Sequence, residues 1–356
     1  MKKSVIRCIL GLINDSDFCP QLQTHGDVMI KTDSDSYLGD IVESSGKNTK
    51  NINARCGRGW GITTNIMMVL KEVCLGQIYF TVALILRESL LFSSVLLNSE
   101  TWTNVTAAEI SQLQNIDNSL LRRILGCPAK TAICSLYLDT AALPIKNVLM
   151  GKRIMFLHYL LNLPQSDLTY RIFQAQVDHP VKNDWVLQVN KDLSDIGMAD
   201  VSFEEIKKKS KNVFKKDIKV KIRRLAFETL MKEKETKSKL KNLKYDSLTI
   251  QPYLVSDQLS IPQKQLIFKI RVRMIETPDS YGRDVPCRLC HLARDEMSHV
   301  LDCIVLKLAG PGLYRDSDVS ITDAFEGNNI EKMKKLAIAF QEALRTREIL
   351  INKNNN

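Results

Sequence analysis

The chain has 356 residues, 44% of them hydrophobic, and a formal net charge of +10. That length holds two or three domains and a sizeable core, and nine cysteines without a clear signal peptide point to a reducing compartment, nucleus or cytoplasm, not a secreted protein. The charge is concentrated: residues 203–245 carry 16 Lys or Arg against six Asp or Glu, a difference of 10 that equals the excess of the whole chain. A basic surplus held in one segment points to a polyanion-binding face, with nucleic acid the first candidate.

In chain order, Asp27–Ile30 and Tyr37–Val42 read as two strands, and the polar run 32–36 between them as a hairpin loop. Residues 51–97 read as helices, with a basic turn around Arg55, Arg58 and Trp60 before a helix that starts near Thr63. The most apolar run, Val73–Leu97, is broken by Arg87-Glu88, and its pieces are too short to cross a bilayer, so a buried helix is expected and no membrane partner. Thr106 and Glu109 form a capping box, and Ile110, Leu113, Ile116, Leu120, Leu121 and Ile124 recur at helical spacing until Gly126 and Pro128 stop the helix. Pro144 opens another helix, in which His158 reads as a satisfied core residue, and a further helix spans about 167–177.

Ser202 and Glu205 make a second capping box ahead of a strongly basic helix. Its apolar face is read as Ile206, Val213, Phe214, Ile218, Ile222, Leu225 and Leu230. The other faces carry Lys207, Lys208, Lys209, Lys211, Lys215, Lys216, Lys219, Lys221, Arg223 and Arg224, offset only by Asp217. These cations read either as phosphate contacts or as a solvated surface. A helix over 263–274 adds Arg271 and Arg273 as further candidate contacts.

The most specific motif follows. Cys287, Cys290, His299 and Cys303 are spaced C-x2-C-x8-H-x3-C. A tight turn can aim the first two sulfurs at one point, and a helical turn places His299 and Cys303 on one face. Three thiolates and one imidazole form a closed tetrahedral set of the kind structural zinc prefers, with no position left for water. His291, beside Cys290, is the poorer ligand. A last helix is expected over 329–351, with a disordered tail at 352–356. There is no Walker loop, no G-x-S-x-G elbow, no H-E-x-x-H and no Asp-Asp pair, and Cys127 and Cys134 have no nearby histidine. These residues assemble no complete active site.

Several stretches, taken in succession, resemble the C-terminal part of an RTE-like non-LTR retrotransposon endonuclease-reverse transcriptase. They are Tyr37-Leu38-Gly39-Asp40-Ile41, Asn51-Ile52-Asn53-Ala54-Arg55, Leu86-Arg87-Glu88-Ser89-Leu90-Leu91 and Asn98-Ser99-Glu100-Thr101-Trp102. Leu120–Gly126, Leu136–Asp139, Leu157–Leu161, Pro180–Trp185, Phe268–Met274 and the cysteine cluster continue the series. The resemblance implies the trailing edge of a palm at 1–45, a helical thumb and following helices at 46–200, the basic helix at 201–250, a Cys/His zinc module at 251–320, and a terminal helix and tail at 321–356. It implies binding of RNA or DNA. It also implies that the catalytic aspartates lie before residue 1, in a preceding segment or a separate chain, so that this chain alone does not polymerise. The expected fold is mainly α: a helical bundle with a small N-terminal β-hairpin and a small C-terminal zinc knuckle followed by a helix. Two other readings fit the same residues: a helical protein-interaction scaffold with a structural zinc, and a transposon relic.

Overall fold

The computed structural model describes residues 23–24, 27–28, 34–37, 39–43, 45–73, 76–103, 105–182, 184–275, 277, 283–309, 320–326 and 329–354. The chain is mainly helical. Near the N-terminus, β1 (Gln23–Thr24) pairs with β2 (Asp27–Val28), and β3 (Ser34–Tyr37) with β4 (Asp40–Glu43), both antiparallel. Ser34 lies opposite Glu43 and Tyr37 opposite Asp40. Ser34–Ser36, expected in a loop, are therefore strand, and Tyr37 ends a strand instead of starting one. The chain reverses at Gly39, whose φ of +87° carries no Cβ penalty. Of the expected first strand, only Asp27–Val28 is described.

The helices are α1 (Thr49–Glu72), α2 (Tyr79–Leu86), which continues as a π-helical turn (Arg87–Phe92), α3 (Ser93–Val95), α4 (Ala107–Leu125), α5 (Ile133–Thr140), α6 (Ile145–Leu161) and α7 (Leu168–Asp178). Then come α8 (Trp185–Asp195), α9 (Phe203–Lys208), α10 (Lys211–Glu235), α11 (Pro252–Val255), α12 (Ile261–Arg271), α13 (Met297–Asp302) and α14 (Ile304–Ala309). A short helix (Thr322–Glu326) precedes the C-terminal helix (Ile330–Asn354). That last helix runs through Asn352–Asn354, where a disordered tail was expected.

One compact unit comprises Met1–Gly61, Phe92–Gln114 and Val148–Lys219. Its hub is Asp40, which pairs with Arg55 and accepts from Asn98 Nδ2 at 2.6 Å and Asn51 Nδ2 at 3.0 Å. Burial raises the Asp40 carboxyl, but the bonds from Asn98, Asn51 and Arg55 outweigh it and hold the group below its ordinary value. Arg55 also donates to Asn51 Oδ1 (3.0 Å) and the Ser94 carbonyl (2.9 Å). This anchoring explains why the expected basic turn does not form. α1 passes unbroken through Gly57 and Gly61, since tertiary contacts offset a helix penalty of about 1 kcal/mol per glycine. The Thr106–Glu109 capping box is present, with Glu109 Oε2 accepting from the Thr106 amide at 2.8 Å and Thr106 Oγ1 accepting from the Glu109 amide at 3.2 Å. Trp185, Val189, Ile154 and Leu157 are buried here, and Arg153 grips Asp192 through two bonds of 2.6 and 3.1 Å. His158 is a satisfied core residue: its ring stacks on Phe214, and Nε2 lies 2.9 Å from the Lys209 carbonyl.

The other unit comprises Ile62–Leu91, Asn115–Asn147 and Val220–Asn356. Two buried carboxylates organise it. Asp117 takes both arms of Arg87 (2.5 and 2.6 Å) and the Tyr137 hydroxyl (2.7 Å). Asp139 takes Arg271, Tyr245 and Tyr253. The C-terminal helix packs on α12, α13 and α14. Among the described residues, one helical stretch, Gly76–Val95, is long and apolar enough by composition to cross a membrane, and 39% of its apolar window is buried. The buried helix expected there is buried on one side only. Tyr79, Phe80, Ala83 and Arg87 face inward, while Ile78, Ile85 and Leu90 are exposed.

α4 ends at Gly126, with the Cys127 amide returning to the Arg122 carbonyl at 3.0 Å and the Gly126 amide to the Arg123 carbonyl at 3.3 Å. Gly126 has φ +61°, and a Cβ there would meet Gln265 Cδ at 2.9 Å. Gln265 cannot swing away freely, because its Nε2 donates to the Ile124 carbonyl at 2.9 Å. Gly126→Ala is expected to lower the unfolding free energy by about 1–3 kcal/mol. Denaturant unfolding checks this, and a change under about 0.5 kcal/mol, the usual surface value, would contradict the account.

Candidate metal centre and basic helix face

The cysteine loop is built by local backbone bonds. The Cys287 amide donates to the Ala293 carbonyl at 2.7 Å, and the Asp295 amide to the Val285 carbonyl at 2.9 Å, so that Pro286 and Arg294 form an antiparallel bridge. Between them the chain turns tightly, with the His291 amide bonded to the Cys287 carbonyl at 2.9 Å. His291 takes the left-handed region at φ +57°, and its side chain is exposed. It is the turn residue and not a ligand. α13 then carries His299, and Cys303 caps it, donating from its amide to the His299 carbonyl at 2.8 Å.

This brings together the four residues whose spacing singled them out. The ligand atoms of Cys287, Cys290, His299 and Cys303 all lie within 4.8 Å of one another, so the group can hold a metal ion. Cys287 Sγ is 3.9 Å from Cys303 Sγ, and Cys290 Sγ is 3.2 Å from His299 Nε2. Cys287 and Cys303 are buried in an apolar cluster with Ile270, Ile275, Val300 and Phe340, whereas Cys290 and His299 are half-buried. The electrostatics follow this placement. Burial, joined by the neighbouring Cys287 sulfur, pushes the Cys303 thiol up to about 11. Burial also acts against Cys290, but the Leu292 amide, His299 and the sulfurs of Cys287 and Cys303 bring that thiol down to about 7. Neither Cys127 nor Cys134 is a nucleophile candidate; burial raises both thiols, that of Cys134 to about 12 with help from Glu233.

The second candidate surface begins at the Ser202–Glu205 capping box, which is present in both directions. In α10 the buried positions are Phe214, Ile218, Ile222, Ala226, Leu230 and Lys234, every fourth residue. A stride of 4 on a helix of 3.6 residues per turn drifts steadily, so the buried stripe winds around α10 and leaves other apolar residues outside it. Val213, assigned to the apolar face by periodicity, is 60% exposed, and Leu225 is only half-buried.

The twelve candidate cations separate into groups. Lys207, Lys208, Lys211, Lys215, Lys216 and Lys219 are exposed, and none joins an ion pair among the described residues. Lys211, Lys215 and Lys219 form one i, i+4 row on α10. Lys221 is half-buried. Lys209 pairs with Asp217 at 3.1 Å and Arg224 with Glu228 at 2.9 Å. Arg223 turns inward and caps the Leu248 carbonyl. Arg271 corrects the sequence reading outright. It is fully buried, bonded to Asp139, to the Ala324 carbonyl at 2.6 Å and to Gln251 Oε1 at 3.3 Å, and stacked beside Tyr245 and Tyr253. No phosphate can reach it. Arg273 stays exposed, with its guanidinium 5.6 Å from the Phe325 ring centroid. No family model, curated protein or solved structure matches the chain.

Proposed function

We propose that this chain binds nucleic acid through the α9–α10 lysines and carries one structural zinc at Cys287, Cys290, His299 and Cys303. This is the role that the resemblance to endonuclease-reverse transcriptases implies for such a region. The observation that carries the nucleic-acid reading is the set of six exposed lysines free of ion pairs among the described residues. An i, i+4, i+8 row of ammonium groups spans about 12 Å, at 1.5 Å per residue, and meets successive backbone phosphates without reading bases.

Zinc is favoured by ligand chemistry and spacing together. Three sulfurs and an imidazole suit zinc, and a tetrahedral ion with Zn–S bonds near 2.3 Å sets sulfurs about 3.8 Å apart. The Cys287–Cys303 separation is 3.9 Å. All four tetrahedral positions are filled by protein, so the metal would supply folding energy and not chemistry.

Binding to single-stranded RNA and duplex DNA across a salt series tests the first part, with metal content measured on the same sample. Replacing Lys211, Lys215, Lys216 and Lys219 by Glu is expected to weaken binding about 100-fold near 0.1 M salt. The slope of log K against log salt should become shallower by about 3 to 4. These side chains are exposed, so thermal unfolding should barely move. Equal binding by the variant and the parent chain would sink the proposed interface.

A further inference from the structure

Beside the cysteine loop lies a cavity of about 570 Å³ that neither the lysine face nor the metal reading uses. α12 supplies Leu266 and Lys269, the C-terminal helix supplies Leu344 and Arg347, and Arg283 and Arg288 close it from the cysteine loop side. Ile275 and Leu344 give it an apolar floor.

Its charge is one-sided. Arg347 is committed internally, since its Nη2 holds Asp295 at 2.8 and 2.5 Å. Lys269, Arg283 and Arg288 enter no ion pair among the described residues. Among the described residues, Glu348 is the single acidic group in the wall. Three such cations against one described carboxylate, in a wall that also holds apolar side chains, suit an anion that also has a flat apolar body. Arg and Lys together favour phosphate, through charge-assisted hydrogen bonds. The volume lies within the range of small-ligand sites and has room for one nucleotide.

The wall is also tied to the metal loop. Arg288 sits between Cys287 and Cys290, so an ion that clamps those sulfurs fixes the backbone from which its side chain reaches the cavity. The Arg347–Asp295 pair fastens the C-terminal helix to the same loop. We propose that this cavity binds the phosphate and base of a single nucleotide, and that metal occupancy of the neighbouring cysteine site is required for it. The proposal rests on the metal reading and is independent of the α9–α10 lysines.

Titration calorimetry on the full, zinc-loaded chain tests it, with adenosine 5′-monophosphate as the probe and adenosine as the control. Saturable binding of the monophosphate is expected, with adenosine weaker by about tenfold or more, as befits the loss of a charge-assisted contact. Lys269→Ala with Arg288→Ala should cost a similar factor at unchanged thermal stability, and chelation of the metal should abolish binding. The variant with Lys211, Lys215, Lys216 and Lys219 changed to Glu should retain it, which separates failure here from failure of the lysine interface. Competition by a 5′-phosphorylated but not a 5′-hydroxyl oligonucleotide would identify a strand end as the source of the nucleotide. Displacement by neither would identify the free nucleotide, and both results support the site. Equal affinity for adenosine and its monophosphate, no binding at millimolar monophosphate, or indifference to Lys269→Ala with Arg288→Ala would overturn it.

Discussion

Replacing Asp139 by Ala is expected to lower the unfolding free energy by about 3–5 kcal/mol, the cost of leaving a buried charge without its partner. Asp139 and Arg271 are both fully buried. One carboxylate oxygen accepts from Tyr253 at 2.6 Å and Arg271 Nε at 3.0 Å, and the other from Tyr245 and Arg271 Nη2. The Asp139 backbone carbonyl accepts the Gln251 amide at 2.9 Å. Removing the carboxylate strands one guanidinium and two hydroxyls, whereas Tyr253→Phe removes one bond and should cost only about 1–2 kcal/mol. Denaturant unfolding of both variants separates the cases, and equal losses would refute the ranking. The network also sets a pH limit. Burial, with the Asp139 charge beside it, raises the hydroxyls of Tyr245 and Tyr253 well above their ordinary value. The folded state therefore holds those protons more tightly than the unfolded chain. Its advantage is complete below about pH 10, the unfolded tyrosine value, and is lost as pH rises beyond it.

That hub was not legible in the sequence, and the reason is distance along the chain. Tyr245, Tyr253 and Arg271 stand 106, 114 and 132 residues from Asp139. No periodicity or spacing rule reaches that far, so Arg271 looked like another surface cation of a basic segment. What was legible is local. The two capping boxes at Thr106 and Ser202 are each complete within four residues, and the structure contains both. A third, Ser260 with Gln263, obeys the same rule and sets the start of α12. It marks that start two residues earlier than the apolar pattern did. The face of α10 was half-legible. Phe214, Ile218, Ile222 and Leu230 are buried as expected, but the four-residue stride turns Val213 outward. The glycines of α1 misled because the anchoring of Arg55 by Asp40 and the Ser94 carbonyl is tertiary. The metal ligands needed no such information, since their geometry is fixed within 17 residues.

Removing the proposed zinc should have the largest effect of all. Binding free energies of about 10–16 kcal/mol are typical where structural zinc holds a small module. The loop's other holds among the described residues include the bridge at Pro286 and Arg294, the Asp284–Arg294 and Asp295–Arg347 pairs, and its share of the apolar cluster. Cys287 and Cys303 belong to that cluster, so an ion bound there would be coupled to the core. Without a cation, burial keeps the Cys303 thiol protonated. Metal binding must therefore release protons, and affinity should fall as pH falls. Chelation, or Cys303→Ser, is expected to speed exchange of the amides of Cys287, Asp295 and Cys303 by several orders of magnitude. Those amides are closed by short backbone bonds of 2.7, 2.9 and 2.8 Å. The disturbance should not spread to α5, whose end is held by the Asp139 network and not by the sulfurs. Hydrogen exchange followed by mass spectrometry reads both regions in one experiment. Faster exchange confined to 285–309 would show that the ion folds its own module and that the rest of the helical unit stands without it. Unchanged protection in that loop after complete metal removal would mean that the apolar cluster alone holds the four ligands together, and a structural role for the ion would then be untenable.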